Sequence, residues 1–312
     1  MNYTDFLSYI KNKLSEDLSQ TDVLHITPVT RNNNIVLDGL CIFRENSHVS
    51  PNIYLNPYYQ RYLNGETKED LLSEIKEIFF QHAECPKYLD YQIASDFSKH
   101  KSQITYRLVN YQKNTKLLKE IPHIRFLDLA IIFYCLVGQT DDGIASLRIT
   151  NQMIEEWNIK SRELYLAAVE NMPRLFPACI RPIQELLYEM IEKTPVPGLS
   201  LSEGFSACPS TEDISSSMYV MTSKNGINGA GTLLYPMVLQ EFASSIQSDL
   251  YVLPSSIHEV ILVPVTASSS SSQEDLSVMV QEINQSHVAA EEILSDHAYL
   301  FHWKTNAFDP VA

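Results

Sequence analysis

The chain has 312 residues, of which 45% are hydrophobic and 20% are charged. This composition is too apolar for a disordered protein, and the length is enough for two or three domains with substantial cores. The formal net charge is −15, so the phosphate backbone of a nucleic acid would be repelled. We therefore expect a folded, acidic protein that does not bind nucleic acid.

Five cysteines are scattered along the chain, and no pair has the Cys-x-x-Cys spacing of a zinc or redox site. The first residues lack the basic and apolar regions of a signal peptide. The longest apolar run, residues 126–137, is far shorter than the ~20 residues of a spanning helix. These features predict a reduced, cytoplasmic protein without a metal, a cofactor or a membrane association.

The first hundred residues predict a small lobe of helices and one β-hairpin, which we place at residues 1–98. Apolar residues at helical spacing favour a helix over residues 3–18. An Asn-rich turn joins two alternating segments within residues 23–43, which is typical of a hairpin. Thr67 and Asp70 have the spacing of a capping box and predict the start of a further helix.

The next segment predicts a central lobe over residues 99–193. Residues 104–111 are expected to form a strand, and the apolar run at 126–137 is expected to form one continuous buried strand. A turn and a strand at 144–149 would complete a second hairpin. Amphipathic patterns predict that helices follow at residues 152–157, 162–172 and 183–191.

Asp128 is the one charged residue in the apolar run at 126–137. A buried carboxylate needs partners, because an unpaired charge in an apolar environment costs several kcal/mol. Arg107 and Arg148 lie on neighbouring predicted strands. We expect one of them to form a structural ion pair with Asp128.

A stretch rich in Pro, Gly and Ser, residues 194–217, predicts a linker or a surface excursion before a C-terminal lobe at 218–312. A strand is expected at 218–222. The Asn-Gly pairs at 225–226 and 228–229 are typical of the turn of a hairpin. Together the lobes predict an α+β fold in which β-hairpins pack against amphipathic helices.

Residues 249–265 read DLYVLPSSIHEVILVPV, in which two short apolar strands enclose a polar segment. We call residues 254–259, Pro-Ser-Ser-Ile-His-Glu, the polar loop. Hydroxyls, an imidazole and a carboxylate lie together there beside two predicted core strands. The polar loop is therefore the first candidate for a functional site.

The polar loop contains the residue types of a hydrolytic triad, if Ser255 or Ser256 acts with His258 and a remote acid such as Asp296. No Gly-x-Ser-x-Gly sequence surrounds either serine, so the strained turn that presents a nucleophile in many hydrolases is not indicated. On extended backbone Ser256 and His258 would point to one side and Glu259 to the other. The interpretation we favour is structural, in which Pro254, Ser255 and Ser256 turn the chain and His258 forms hydrogen bonds within the loop. Ligand recognition and catalysis remain open as alternatives.

Two other motifs near the polar loop do not have the residue spacing of a metal or nucleotide site. His258 and Glu259 begin a His-Glu-x-x-His pattern, but residue 262 is Leu, so a zinc site is not predicted. Gly226, Gly229 and Gly231 match neither the dinucleotide nor the phosphate-loop pattern. We expect neither a metal nor a nucleotide in this region.

Several segments resemble an uncharacterised family of bacterial proteins, DUF5688, found mainly in clostridial anaerobes. They are FLDLAIIFYCLV, the strand and turn ending in SLRITNQMIEEW, MYVMTSKNGINGAGTLLYP and DLYVLPSSIHEVILVPV. The similarity runs from NYTDFLSYI near the start to LSDHAYLF near the end. The resemblance implies a bacterial, cytoplasmic protein and brings no activity with it.

Two functional hypotheses follow. The leading one is a non-catalytic binding or protein-interaction module, in which a protein or small ligand contacts Asn228, Ser256, His258 and Glu259. The alternative is a hydrolase in which Ser256 or its neighbour Ser255 acts with His258. The many Tyr and Phe residues also fit a component of a larger assembly.

Overall fold

The structure, a computed structural model, divides the chain into two compact units, Met1–Asp90 and Tyr91–Ala312. It describes residues 1–19, 21–43, 52–81, 96–140, 143–193, 218–265 and 273–309. The predicted linker at 194–217 lies outside the described residues.

The fold is α+β, as predicted from the sequence. Three sheets are present, and every strand pairing in the part of the chain that the structure describes is antiparallel. Among the described residues, no helix combines the length and the apolar character that crossing a bilayer requires.

The first unit has helices against one face of a three-stranded sheet. The sheet order is β1-β2-β3, and the predicted hairpin is its larger part. Asn33 and Asn34 in its turn have positive φ values of 59° and 57°, a geometry that Asn tolerates better than most residues. The elements are α1 Tyr3–Ser15, β1 Val23–Thr30, β2 Val36–Phe43, β3 Ile53–Tyr54, α2 Leu55–Leu63 and α3 Lys68–Gln81.

Side-chain caps mark the starts of two helices of this unit, α1 and α3, and the cap of α3 at Thr67 is the one predicted from the sequence. The Asn2 side chain accepts a hydrogen bond of 2.8 Å from the backbone N–H of Asp5 at the start of α1. The Thr67 hydroxyl accepts one of 3.2 Å from the N–H of Asp70 at the start of α3. Each such cap stabilises a helix by about 1 kcal/mol, since it satisfies a donor that the helix leaves open. Helix α1 buries Phe6 against the sheet.

The second unit contains the other two sheets. Its first half supplies a four-stranded sheet in which β4 and β5 flank β6, and β7 also pairs with β6. The elements of this half are α4 Phe97–His100, β4 Ile104–Asn110, α5 Thr115–Leu118, β5 His123–Phe126, β6 Leu129–Thr140, β7 Gly143–Arg148, α6 Asn151–Glu156 and α7 Ser161–Leu175.

The rest of this unit builds a six-stranded sheet of order β13-β12-β10-β11-β9-β8. Its elements are β8 Ala178–Pro182, α8 Ile183–Lys193, β9 Tyr219–Ser223, a 3-10 helix Gly229–Leu234, α9 Val238–Ser245, β10 Leu250–Leu253, β11 Glu259–Pro264, α10 Gln273–His287, β12 Tyr299–His302 and β13 Ala307–Phe308.

Both sheets of the second unit contribute to one core, so the segments expected to form a central and a C-terminal lobe share a compact unit. Buried side chains from β4 and β6 join those of β9, β10, β11 and β12, together with α7 and α9. The buried Tyr106 of β4 donates a hydrogen bond of 3.2 Å to the carbonyl oxygen of Gly231 in the 3-10 helix. This bond joins residues that the predicted boundary at 194–217 would separate.

Two strand predictions were wrong in detail. The apolar run at 126–137 is not one strand, because the chain turns at Leu127, which has a φ of 54°, and Phe126 pairs with Leu129 across the turn. The Asn-Gly pairs do not close a hairpin either. After β9 the chain enters the 3-10 helix, and β9 pairs with β8 and β11 instead.

Asp128 therefore lies in a turn, and neither arginine is its partner. Its carboxylate accepts a hydrogen bond of 2.7 Å from the Ser295 hydroxyl and another from the Tyr299 hydroxyl. Arg107 instead donates to Ser146 at 2.7 Å. Two neutral hydroxyl donors satisfy the carboxylate, so the expected ion pair was wrong.

These hydroxyls tie the β5-β6 turn to the six-stranded sheet. Tyr299 and Ser295 are fully buried. Burial and the neighbouring Asp128 carboxylate raise the pKa of Tyr299 well above its ordinary value. The phenol therefore keeps its proton and remains a donor to Asp128.

We predict that Tyr299→Phe destabilises the protein by about 1.5–3 kcal/mol, because it removes a hydrogen bond to a charged acceptor and leaves that acceptor partly buried. Denaturant unfolding measures the change. Tyr251→Phe is the matched control, since Tyr251 lies on the neighbouring strand opposite Leu300 and its hydroxyl makes no hydrogen bond to the described residues. Equal losses for the two variants would contradict the role given to Asp128.

Candidate functional site

The polar loop lies against residues 292–295, a segment to which the sequence assigned no function. The N–H of Ser295 donates to the carbonyl of Pro254 at 2.9 Å, and the N–H of Leu294 donates to that of Ser255 at 3.0 Å. An isolated β-bridge joins Ser256 to residue 293. The polar loop is thus held by main-chain hydrogen bonds, as a short irregular strand would be.

Ser256 is 5% exposed, and its hydroxyl forms a hydrogen bond within the polar loop. Its Oγ accepts a hydrogen bond of 3.0 Å from the backbone N–H of His258. This is a local turn in which a serine side chain substitutes for a main-chain acceptor. Within the described residues, no hydrogen bond joins the Ser256 hydroxyl to the His258 imidazole.

The backbone bends at Ile257 and His258, so the alternation expected for extended backbone does not hold across them. The N–H of Ile257 donates to the carbonyl of Glu292 at 2.9 Å. The bend turns the imidazole toward the side chain of that same residue. Ser256 and His258 are close in sequence, but the structure joins them through the backbone.

The His258 ring lies between two segments. Its Nδ1 accepts a hydrogen bond of 3.3 Å from the backbone N–H of Asn228, and its Nε2 lies 3.5 Å from Oε1 of Glu292. Because Nδ1 is an acceptor, the ring proton of the neutral imidazole lies on Nε2 and faces the carboxylate. The side chains of His258 and Glu292 are 30% and 42% exposed, so this pair reaches solvent.

Asn228 contacts His258 through its backbone and occupies the left-handed region, with a φ of 50°. The residues around it are pinned to the polar loop. The Thr222 hydroxyl donates to the carbonyl of His258 at 2.7 Å, and the N–H of Ala230 donates to that of Ile257 at 3.2 Å. The turn with the Asn-Gly pairs therefore forms one side of the site.

Asp296, the expected remote acid, is engaged elsewhere. Its carboxylate lies 3.0 Å from Nζ of Lys113 and accepts a hydrogen bond of 2.8 Å from the buried Asn284. Burial alone would raise the pKa of Asp296, but the contacts with Asn284 and Lys113 outweigh it and hold that pKa below its ordinary value. Asp296 and His258 share no hydrogen bond in the described part of the chain.

Ser255 and Glu259 complete the set of predicted site residues. Ser255 is half-buried, and its carbonyl accepts the hydrogen bond from Leu294. Glu259 is half-buried at the start of β11, opposite Thr222. The burial pattern of β11 alternates, so Glu259 lies on the face opposite to the buried Val260.

A small cavity adjoins the turn that contains Asn228. It has a volume of about 20 Å³, which is room for about one water molecule. Its lining includes the polar residues Thr105, Arg107, Ser146 and Asn228 beside the apolar residues Met172 and Phe176. Asn228 thus lies between this cavity and the imidazole of His258.

Sequence reasoning missed Glu292, Lys113 and Asn284. The first faces His258, and the other two hold Asp296. No local pattern marks Lys113, because it is 183 residues from Asp296 in the chain, and Asn284, 12 residues from Asp296, lies on a different element. Across the described ranges, no group of three or more His, Cys, Asp or Glu side chains could hold a metal ion.

The fold and the site define an antiparallel α+β protein in which a serine- and histidine-containing loop is held against a late segment of the chain. The chain belongs to the family of unknown function DUF5688, whose model matches residues 3–303. No curated protein and no solved structure matches it.

We predict that Gly229→Ala destabilises the protein by at least about 2 kcal/mol, a cost typical of overpacking. A Cβ at Gly229 would lie 2.1 Å from the Thr222 hydroxyl oxygen and 2.4 Å from the carbonyl oxygen of His258. The second of these is a backbone atom that cannot move aside. Thermal or denaturant unfolding measures the loss.

Gly231→Ala in the same 3-10 helix is the matched control. Its Cβ would meet a side-chain atom of Tyr106 at 3.3 Å, a contact that a small ring movement relieves. We expect a loss within about 1 kcal/mol for this variant. If both alanines were tolerated equally, the close approach between the turn and the polar loop would be refuted.

We predict that Asp296→Asn flattens the acid side of the stability profile. The folded-state pKa of Asp296 is lowered, so its stabilisation is present above the ordinary value of 3.8 and is lost as the pH falls through the lowered value. Denaturant unfolding between neutral and acidic pH follows this loss. Glu282→Gln on the exposed face of α10 is the control and should leave the profile unchanged.

Proposed function

We propose that the protein is a non-catalytic binding or protein-interaction module that works in the bacterial cytoplasm. Its ligand, a peptide or a small molecule, would contact the solvent-facing rim formed by Asn228, His258 and Glu259. Ser256 would shape the polar loop from within. No nucleic acid, membrane or cofactor enters this proposal.

The observation that carries the proposal is the orientation of the His258 ring. In a serine hydrolase the imidazole accepts the proton of the nucleophile through one nitrogen, and an acid holds the other. Here Nδ1 accepts a main-chain N–H from Asn228, and Nε2 faces Glu292. The Ser256 hydroxyl accepts a main-chain N–H instead of meeting the ring. This arrangement supports a structural role for Ser256 in a loop of fixed shape. It argues against an activated serine nucleophile.

The exposure of the site supports recognition at its rim. Ser256 is buried, whereas the His258 side chain remains 30% exposed beside a 42% exposed Glu292. A surface imidazole next to a carboxylate offers both a donor and acceptors to a ligand. Main-chain hydrogen bonds from Leu294, Ser295 and Ala230 hold the backbone around it in place, which lowers the entropy cost of binding.

The proposal predicts that the purified protein is not labelled by a fluorophosphonate probe and does not turn over a panel of esters, phosphoesters and peptides. Ser256→Ala and Ser255→Ala should leave both results unchanged. Labelling of the parent that either serine variant abolishes would establish the hydrolase hypothesis and overturn the proposal.

The binding half of the proposal is tested by a thermal-shift screen of peptides and small molecules, followed by titration calorimetry of each hit. A ligand of the rim should lose at least about tenfold in affinity with His258→Ala, because a hydrogen bond to a charged or polar partner is removed. His123→Ala, a half-buried histidine on β5, is the control. Hits that bind equally to the parent and to His258→Ala would place the binding surface elsewhere.

A further inference from the structure

The C-terminal hairpin ends the six-stranded sheet. Strands β12 and β13 pair through Phe301 with Phe308 and through His302 with Ala307, and β13 is the outermost strand. A strand of two residues has few hydrogen bonds of its own. Its position therefore depends on side-chain contacts as well as on this pairing and on the hydrogen bond of 3.0 Å from the N–H of Asp309 to the carbonyl of Leu300.

His302 makes two of these contacts, one through each ring nitrogen. Its Nδ1 lies 2.9 Å from Oδ2 of Asp249, just before β10, and its Nε2 lies 3.1 Å from Oδ1 of Asp309, just after β13. Ionised carboxylates only accept hydrogen bonds. Both ring nitrogens can donate only when the imidazole carries two protons and is therefore positively charged.

A neutral ring would lose one of these contacts. Whichever nitrogen gave up its proton would direct a lone pair at a carboxylate oxygen, which is repulsive. The contacts with Asp249 and Asp309 therefore favour the charged ring over the neutral one.

Asp249 connects the histidine to the turn of the hairpin. Its Oδ1 accepts a hydrogen bond of 3.0 Å from the backbone N–H of Trp303. The carbonyl of Trp303 in turn accepts one of 3.1 Å from the side chain of Gln240 on α9. A change at His302 would reach Trp303 through the shared carboxylate of Asp249.

We propose that His302 is a pH-dependent clasp, which fixes the C-terminal hairpin to the start of β10 while the ring is charged and loosens it when the ring loses a proton. The clasp is separate from the binding rim at His258. It is a regulatory device of the sheet edge.

The electrostatic surroundings agree with this direction. The hydrogen bond with Asp249 raises the pKa of His302, burial opposes this, and the contact with Asp309 adds to the rise. Stabilisation by the clasp is full below the ordinary histidine value of 6.5 and is lost as the pH rises through the raised folded-state value. Asp249 and Asp309 are the charged groups that face the ring among the described residues.

The hairpin also forms one wall of a surface groove against α9, with a volume of about 640 Å³. Trp303 and Lys304 line it on the hairpin side, and Met237, Gln240, Glu241 and Ser244 line it on the helix side. Because Trp303 depends on Asp249, the clasp also sets the shape of this groove. The state of His302 would therefore be visible at the tryptophan.

The test uses the full chain with Trp157→Phe, which leaves Trp303 as the one remaining tryptophan of the two. Its fluorescence is followed from about pH 6 to about pH 9, around the titration range of histidine. Hydrogen exchange of residues 299–309 is measured in parallel, as protection factors that correct for the intrinsic pH dependence. We expect one emission transition above the ordinary histidine range and a loss of protection across it.

His302→Gln should abolish the transition and give low protection at every pH, since Gln cannot carry the charge. Asp309→Asn keeps the contact with Asp249 and should move the transition to lower pH. His297→Gln changes a half-buried histidine two residues before β12 and should leave the transition unchanged. A transition that persists in His302→Gln, or protection in the parent that does not change with pH, would overturn the clasp.

Discussion

The segment at residues 292–299 is the constraint on which the second unit depends. Its backbone holds the polar loop, and its Ser295 and Tyr299 hydroxyls hold the Asp128 carboxylate. The buried Asn110 donates a further hydrogen bond of 3.0 Å to the carbonyl of Leu294. Each buried polar group here is costly without its partner, so the two sheets and this segment must come together as a unit.

Much of the fold could be predicted from the sequence, because its causes are local. The start of α3 depends on Thr67 and on residues within one turn of it, and the β1-β2 turn depends on asparagines that tolerate a positive φ. The alternating burial of β11 follows from the period of a strand. These features need no knowledge of where the rest of the chain lies.

The wrong or missing predictions concern features that the local sequence does not determine. Strand β8 was missed because all five of its residues are half-buried, so no alternation marks it. The partners of Asp128 are more than 160 residues away in the chain, so the sequence alone favoured an arginine on a predicted strand as the partner. Gly229 resembles part of a hairpin turn, yet the structure requires glycine there because Thr222 and the carbonyl of His258 approach its backbone.

The polar loop shows why residue types alone do not identify a catalytic site. A serine hydroxyl and a neutral imidazole nitrogen can also accept hydrogen bonds from main-chain N–H groups that a sheet leaves without a partner, and Ser256 and His258 each accept one such bond. A serine nucleophile needs a histidine whose ring nitrogen is free to accept the proton of the serine hydroxyl. What this local use leaves for other contacts is Nε2 of His258, which lies 3.5 Å from Oε1 of Glu292 in a pair whose side chains are 30% and 42% exposed.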